Sequence, residues 1–171
     1  MIPIRKAEPK DFPEIRILVK AAFASAEHAD GNEAELVEAL RAGEAYLPEL
    51  SLVAEEHGRI IGHVLFTRAT VASEAVLALA PLSVLPDRQR RGVGSALVLE
   101  GHRIAAQMGF GYSVVLGSNA YYPRFGYKPA KTFGITAPFD VPEAYFMACR
   151  LRSDAPAIRG VMTYAKEFGI G

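Results

Sequence analysis

Cysteine is almost absent from this 171-residue sequence, because Cys149 is its only copy. A lone cysteine excludes a disulfide within the chain and a cysteine-rich zinc site, and it is typical of a reducing cytosol. An excess of charge of one sign is also missing, since 19 Lys and Arg residues balance 19 Asp and Glu residues. Nucleic-acid-binding domains usually carry a basic excess, so the balance argues against a nucleic-acid partner.

Long apolar runs are missing too. The longest covers residues 75–82, far short of the roughly 20 residues of a membrane-spanning helix. The first residues lack a basic start followed by an apolar core, so we expect no signal peptide, no membrane partner and a cytoplasmic location. The length fits a single domain over residues 1–171, since one domain takes roughly 100–200 residues.

The apolar residues follow two periods along the chain. Helical spacing predicts a helix capped by Asp11 that carries apolar residues from Ile15 to Phe23, and further helices over residues 33–41 and 92–108. Alternating or continuous apolar segments predict strands over residues 2–6, 51–55, 59–68, 75–85, 112–116, 145–151 and 161–164. Residues 119–125 fit a short helix or turn, and residues 130–143 fit a loop. This order predicts an α/β protein whose mixed sheet has helices on both faces.

Two of these elements carry specific expectations. Residues 75–85 are apolar on both faces, which predicts a central strand covered on both sides. Pro81 lies within this strand and has no N–H to donate, so we expect a bulge or an unpaired step there. On the helix over residues 92–108 we expect one buried stripe, made of Val93, Leu97, Gly101, Ile104 and Met108.

The sharpest local signal lies between those two elements, at residues 89–97, which read Gln-Arg-Arg-Gly-Val-Gly-Ser-Ala-Leu. A helix N-terminus has backbone N–H groups without partners and a partial positive charge, and small residues let an anion approach them. Gly92 and Gly94 therefore favour a phosphate or pyrophosphate site. Three arginines flank the turn, namely Arg88, Arg90 and Arg91. The alternative is that the glycines serve only the turn and that the arginines are only solvated surface charges.

Two other anion-binding motifs do not fit this turn. A dinucleotide-binding fingerprint needs a third glycine at the position of Leu97. The Walker motif needs Gly-Lys followed by Ser or Thr, and the sequence contains no such triplet. NAD and ATP are therefore poor candidates for the carrier of the anion.

The residues of this turn resemble the acetyl-CoA signature of the GNAT superfamily of N-acetyltransferases. That signature, Gln/Arg-x-x-Gly-x-Gly/Ala, fits Gln89, Gly92 and Gly94. A second element of the superfamily, Asn-Ala followed by Tyr-x-x-x-Gly-aromatic, fits residues 119–127. Both elements occur in the expected order, which makes the resemblance specific.

The chain also resembles a YhbS-like bacterial subgroup of that superfamily, over roughly residues 1–165. The stretches that carry this likeness are residues 79–86, 121–127, 133–135 and 146–148. One departure is Ser118-Asn119, where the subgroup often has Asp-Pro. Asn119 nevertheless restores the pattern of the wider superfamily.

The resemblance implies the GNAT fold, a mixed and mostly antiparallel sheet flanked by helices. It implies an enzyme that moves an acetyl group from acetyl-CoA directly to an amine on a small molecule, a peptide or a protein. The pantetheine arm would pair with the fourth strand, the Val84 N–H would polarise the thioester carbonyl, and Tyr122 would be the general acid. The residues implied to bind acetyl-CoA are Leu82, Val84, Gln89, Arg90, Arg91, Gly92, Val93, Gly94, Ser95, Asn119 and Tyr122. No metal is expected in the site, and the resemblance allows a homodimer.

Several roles stay open from the sequence. Tyr122 is either that acid, which protonates the leaving thiolate, or a buried ring that only packs on the cofactor. No Asp or Glu lies between residues 75 and 86, so the base is Glu27, His28, His63 or a chain of waters. Cys149 is expected to be a buried inert thiol rather than a nucleophile.

The function itself has alternatives. A chain with the same fold that binds acyl-CoA as a sensor or scaffold, with little catalysis, has the same cradle. Another acyl donor, such as succinyl- or propionyl-CoA, is also compatible with it. Fold alone does not fix function.

Overall fold

The computed structural model describes residues 2–24 and 31–170. Its helices are α1 (Phe12–Phe23), α2 (Glu33–Arg41) and α3 (Val93–Gln107). Its strands are β1 (Ile4–Lys6), β2 (Tyr46–Glu56), β3 (Arg59–Val71), β4 (Glu74–Val84), β5 (Tyr112–Leu116), β6 (Lys128–Pro129), β7 (Ile135–Thr136), β8 (Phe146–Arg150) and β9 (Gly160–Thr163). Short 3-10 turns include Tyr122–Phe125 and Ala130–Phe133. Among the described residues, no helix is both long enough and apolar enough to cross a bilayer.

The sheet has the strand order β1-β2-β3-β4-β5-β8-β6, and β9 pairs with β3 and β7. The pairs along the main order are antiparallel except β4–β5, which is parallel. With the helices packed against it, this is the mixed, mostly antiparallel sheet that the sequence predicted, and the fold-class prediction is confirmed.

A gap opens in the middle of this sheet. Strands β4 and β5 pair only at Leu77–Ser113 and Ala78–Val114, although β4 continues to Val84. The pairing of β4 with β3 also shifts register between the partners of Val64 and Phe66, where Pro81 lies. The bulge expected at Pro81 is therefore present, and it lies at the point where β4 has lost its β5 neighbour.

Helix α3 packs on one face of the sheet through small residues. A Cβ added at Gly62 of β3 would lie 2.7 Å from Val93 Cγ1 and 2.9 Å from Leu97 Cδ1. Gly101 of the helix packs in the same way against the Phe66 ring. Because side chains alternate along a strand, residues 62, 64 and 66 face α3, and residues 63, 65 and 67 face the other side.

Two expectations about this region need correction. Met108 does not belong to the buried stripe: its side chain is 39% exposed, because helix α3 ends at Gln107 and Met108 already caps it. Residues 130–143 are not only loop, because they contain the turn Ala130–Phe133 and strand β7. Strand β7 gains its hydrogen bonds from β9, a distant partner, which local sequence cannot reveal.

Strand lengths also differ from expectation. Strand β2 begins at Tyr46 rather than at residue 51, and β3 extends to Val71 rather than to residue 68. The register of β2 against β3 shifts between Tyr46 and Ser51, the segment that contains Pro48. This proline cannot donate a hydrogen bond to the ladder, and the register shift interrupts the regular strand pattern that the sequence analysis used.

Candidate active site

A cleft of about 610 Å³ lies between the end of β4 and the start of α3. Its lining combines the strand, the Gly-rich turn and the segment after β5. The residues that line it are Leu82, Val84, Arg88, Gln89, Arg90, Gly92, Val93, Gly94, Ser95, Tyr121 and Arg124. Most of the residues implied by the resemblance therefore come together here.

The backbone of β4 turns free hydrogen-bonding groups toward this cleft. The Leu85 N–H donates to the Ile61 carbonyl at 2.9 Å, which marks that pair as hydrogen-bonded. In an antiparallel ladder such pairs alternate with pairs that point their groups away from the partner strand. Leu82 and Val84 lie opposite Val64 and Gly62 as pairs of the second kind. Their N–H and C=O groups therefore point away from β3, toward the side where β5 no longer pairs.

The Gly-rich turn presents the start of α3 to the same cleft. Gly92 precedes the helix with φ +86°, and Arg90 has φ +63°, both in the left-handed region that favours glycine. The first N–H groups of a helix have no acceptor within it, so those of residues 93–95 remain available to a ligand. The Gln89 side chain donates to the Val84 carbonyl at 3.3 Å and connects this turn to the end of β4.

The flanking arginines do not contribute equally. Arg88 donates to the Glu56 carboxylate at 2.8 Å and also contacts Asp87, so its charge is already compensated. Arg90 lines the cleft, and Arg91 does not. Of the arginines next to the turn, Arg90 is therefore the one best placed to contact an anion.

Tyr121 and Arg124 line the cleft although the sequence analysis did not select them. The Tyr121 hydroxyl lies against Gly94, where a Cβ would collide with it. Arg124 stacks over the Tyr121 ring, with its guanidinium carbon 4.7 Å from the ring centroid. Burial raises the pKa of Tyr121. In the sequence, Tyr121 and Arg124 are marked only by their position close to Tyr122 in the second motif.

Tyr122 lies behind Tyr121 and is not among the residues that line the cleft. Its ring meets the Tyr121 and Tyr127 rings edge-on, with centroids 5.1 Å and 5.6 Å away. Gly117 leaves it room, because a Cβ there would lie 2.6 Å from the Tyr122 ring. Burial raises the pKa of Tyr122, so its hydroxyl stays protonated. Within residues 2–24 and 31–170 no group hydrogen-bonds to that hydroxyl.

The ring that supports Tyr122 is itself held in place. The buried Tyr127 hydroxyl lies 2.8 Å from Ser113 Oγ and 3.0 Å from His102 Nε2. Burial lowers the pKa of His102 to about 4, so this imidazole is neutral near pH 7. Tyr122 therefore packs on a wall whose position is fixed by hydrogen bonds.

The other residues considered from the sequence lie elsewhere. Asn119 is exposed in the turn after β5 and does not line the cleft. Glu27 and His28 lie outside the described residues. His63 is fully buried on the face away from α3, and burial together with the nearby Arg41 lowers its pKa to about 3. Within the described part of the chain, His63 is thus shielded from solvent and from this cleft.

Cys149 is buried, as expected. Its thiol lies 3.5 Å from the Phe125 carbonyl. Burial raises its pKa to about 11, so it stays a thiol near neutral pH. A thiolate nucleophile requires the opposite shift.

Residues 14–127 match the sequence profile of the Acetyltransferase (GNAT) family. The chain therefore belongs to this family of acyltransferases. The "Uncharacterized N-acetyltransferase YjhQ" of Escherichia coli K12 is 38% identical over 143 residues, which cover 81% of this chain and 76% of YjhQ.

Two solved structures share the whole architecture. YhbS from Escherichia coli, crystallised with CoA, is 31% identical with a TM-score of 0.88 and covers 98% of this chain and 92% of its own. A GNAT family acetyltransferase from Brucella melitensis, in complex with acetyl-CoA, is 35% identical with a TM-score of 0.81 and covers 98% of each chain. The resemblance drawn from the sequence motifs is confirmed.

Proposed function

We propose that this chain transfers an acetyl group from acetyl-CoA directly to an amine. The observation that carries the proposal is the cleft itself, where unpaired backbone groups of β4 meet the N-terminal turn of α3. Two structural relatives that span almost the whole chain were crystallised with CoA or acetyl-CoA. The N–H groups after Gly92 and the charge of Arg90 suit the pyrophosphate, and the backbone of Leu82 and Val84 suits the pantetheine arm as an added strand.

The chemistry follows from what each group can donate. The amine nitrogen attacks the thioester carbonyl, the C–N bond forms, and the C–S bond breaks. We assign the Val84 N–H, which points into the gap, to stabilise the negative oxygen during this attack. The amine loses one proton to water, and the leaving thiolate gains one from Tyr122, whose hydroxyl is protonated and uncommitted. The Tyr122 phenolate then regains a proton from water, which restores the enzyme.

Titration calorimetry with acetyl-CoA tests the proposal, with NAD and ATP as controls. We expect one-site binding of acetyl-CoA in the range of about 1–100 μM, or roughly −8 to −5.5 kcal/mol, and no binding of the controls. Thiol release in the presence of an amine then tests the transfer. Binding without release from a broad amine panel would favour the sensor or scaffold function. Absence of binding at millimolar acetyl-CoA would leave the glycines with a purely structural role.

The acceptor is a small molecule, a peptide or a protein in this proposal. Succinyl- and propionyl-CoA belong in the same titration, because nothing in the described cleft restricts the acyl group. The family resemblance allows a homodimer, and light scattering on the purified chain tests whether one forms.

A further inference from the structure

A second cleft, of about 310 Å³, lies at the end of β5 and β8 that is next to the gap in the sheet. Leu116 of β5 pairs with Phe146 of β8, and the following Gly117 N–H donates to the Tyr145 carbonyl at 2.9 Å. Gly117 contacts the Tyr122 ring, and Phe146 lines the second cleft. The paired ends of β5 and β8 therefore lie between the second cleft and Tyr122, the proposed acid.

The second cleft opens on the face of the sheet that α3 does not cover. Val114 and Phe146 belong to the apolar cluster on that face, whereas Val115 packs with the cluster that contains α3. By alternation Leu116 shares the face of Val114. Leu116 is 49% exposed, so an apolar side chain lies open on that face beside its partner Phe146.

The lining of this cleft combines an apolar part with polar and charged residues. The apolar part is formed by Ile135, Ala137, Phe139, Val141 and Phe146. The Phe139 ring is held edge-on to Phe146, with centroids 6.0 Å apart, and lies 6.0 Å from the Tyr164 ring. These contacts fix an aromatic wall that suits methylene or aromatic groups of a ligand.

The second cleft carries one negative charge that no ion pair among the described residues compensates. Lys131 is ion-paired with Glu143, so those two charges compensate each other. The exposed Asp140 also lines the cleft, and it has no ion-pair partner within residues 2–24 and 31–170. An uncompensated carboxylate beside apolar walls attracts a cation and repels an anion.

Resting on the proposed acetyl transfer, we infer that this cleft receives the non-reacting end of the acceptor, an apolar chain that ends in a second cationic group. The reacting amine lies at the gap beside Tyr122, the chain crosses Leu116 and contacts Phe139 and Phe146, and the second cation reaches Asp140. Acceptors with an anionic far end are disfavoured by the same carboxylate.

Three amines of equal length test this inference: 1,8-diaminooctane, octylamine and 8-aminooctanoate. Initial rates of thiol release give kcat/KM for each, and calorimetric titration of each into the CoA complex gives affinity without turnover. We expect the order diamine, monoamine, amino acid, with steps of about three- to fivefold, the size expected for an exposed ion pair.

The variant Asp140→Asn separates the charge from the apolar walls. The diamine preference over octylamine should fall by about three- to fivefold relative to the unmodified chain, with octylamine itself unchanged. The statistical advantage of two equal amines cancels in this comparison between variants. Asp154→Asn is the matched control, since Asp154 is exposed and follows the opposite end of β8, where it pairs with Arg152.

Separate outcomes identify which proposal fails. A diamine preference that persists in Asp140→Asn, or equal use of all three amines, overturns the inference about the second cleft. If acetyl-CoA binds but none of the three amines releases thiol or binds the CoA complex, the acceptor assignment is wrong and the cofactor assignment stands. If acetyl-CoA itself does not bind, the proposed function fails first.

Discussion

Two adjacent tyrosines in the second motif have different environments. The Tyr121 hydroxyl packs on Gly94 at the wall of the cleft. No group in the described part of the chain hydrogen-bonds to the Tyr122 hydroxyl, and the Tyr122 ring rests on Tyr127. A proton donor must have a hydroxyl free to turn toward the leaving group. This difference favours Tyr122 as the acid and Tyr121 as a residue that shapes the cleft.

Substitution of each tyrosine by phenylalanine tests this division. Tyr122→Phe should lower kcat at least about tenfold while the Kd for acetyl-CoA stays the same, because a general acid typically contributes about 10²–10⁴-fold to the rate. Tyr121→Phe is the matched control and should change the Kd rather than kcat. Initial rates of thiol release give kcat for both variants, and calorimetric titration with acetyl-CoA gives their Kd. An unaltered kcat in Tyr122→Phe would remove this residue from the chemistry.

At the scale of elements, the contact between β3 and α3 depends on a missing side chain. Gly62 has no Cβ, so Val93 and Leu97 of the helix reach the strand backbone. The start of α3 is thereby held close to the sheet, at the position where its N–H groups face the cleft. Close packing here is part of the geometry of the candidate active site as well as of the core.

Gly62→Ala should therefore destabilise the fold. The added methyl would meet Val93 Cγ1 at 2.7 Å, and overpacking of this kind costs about 1–3 kcal/mol. Urea unfolding followed by circular dichroism measures the change in the free energy of unfolding. Gly43→Ala is the control, because its methyl would meet only the flexible end of Glu167. Equal midpoints for the two variants would show that α3 shifts at no cost.

Sequence reasoning found the elements of this site whose signals are local. The turn at Gly92 and Gly94 and the bulge at Pro81 follow from residue types that restrict or free the backbone. It missed Tyr121, whose position in the cleft depends on the distant Gly94, and it extended the buried stripe to Met108, because a helix end is set by its cap rather than by its period. The second cleft was out of reach, since Phe139 and Phe146 come together only through strand pairing.

At the scale of the whole molecule, buried imidazoles make stability depend on pH. Burial lowers the pKa of His63 to about 3 and that of His102 to about 4. An unfolded histidine titrates at about 6.5, so below that pH the unfolded chain binds protons that the folded chain does not. The free energy of unfolding therefore falls as the pH drops from about 6.5 toward about 4.

The variant His63→Gln should flatten this dependence. Each such histidine contributes up to about 1.4 kcal/mol per pH unit over that window, and the glutamine variant loses one of these contributions. Thermal unfolding at a series of pH values between 7 and 4 records the slope. His57→Gln, at the exposed turn between β2 and β3, serves as the control and should keep the slope. An identical slope in both variants would contradict the assignment to His63.

The short pairing between β4 and β5 determines how firmly the two halves of the sheet are joined. Among the described strands, only two residue pairs join the half of the sheet built by β1 to β4 with the half built by β5, β8 and β6, because β9 pairs with β3 and β7 but not with that second half. Because so few backbone hydrogen bonds cross this seam, we expect the two halves to move against each other along it. A pantetheine arm hydrogen-bonded to β4 would fill the seam as an added strand. The bound cosubstrate would therefore also stiffen the sheet.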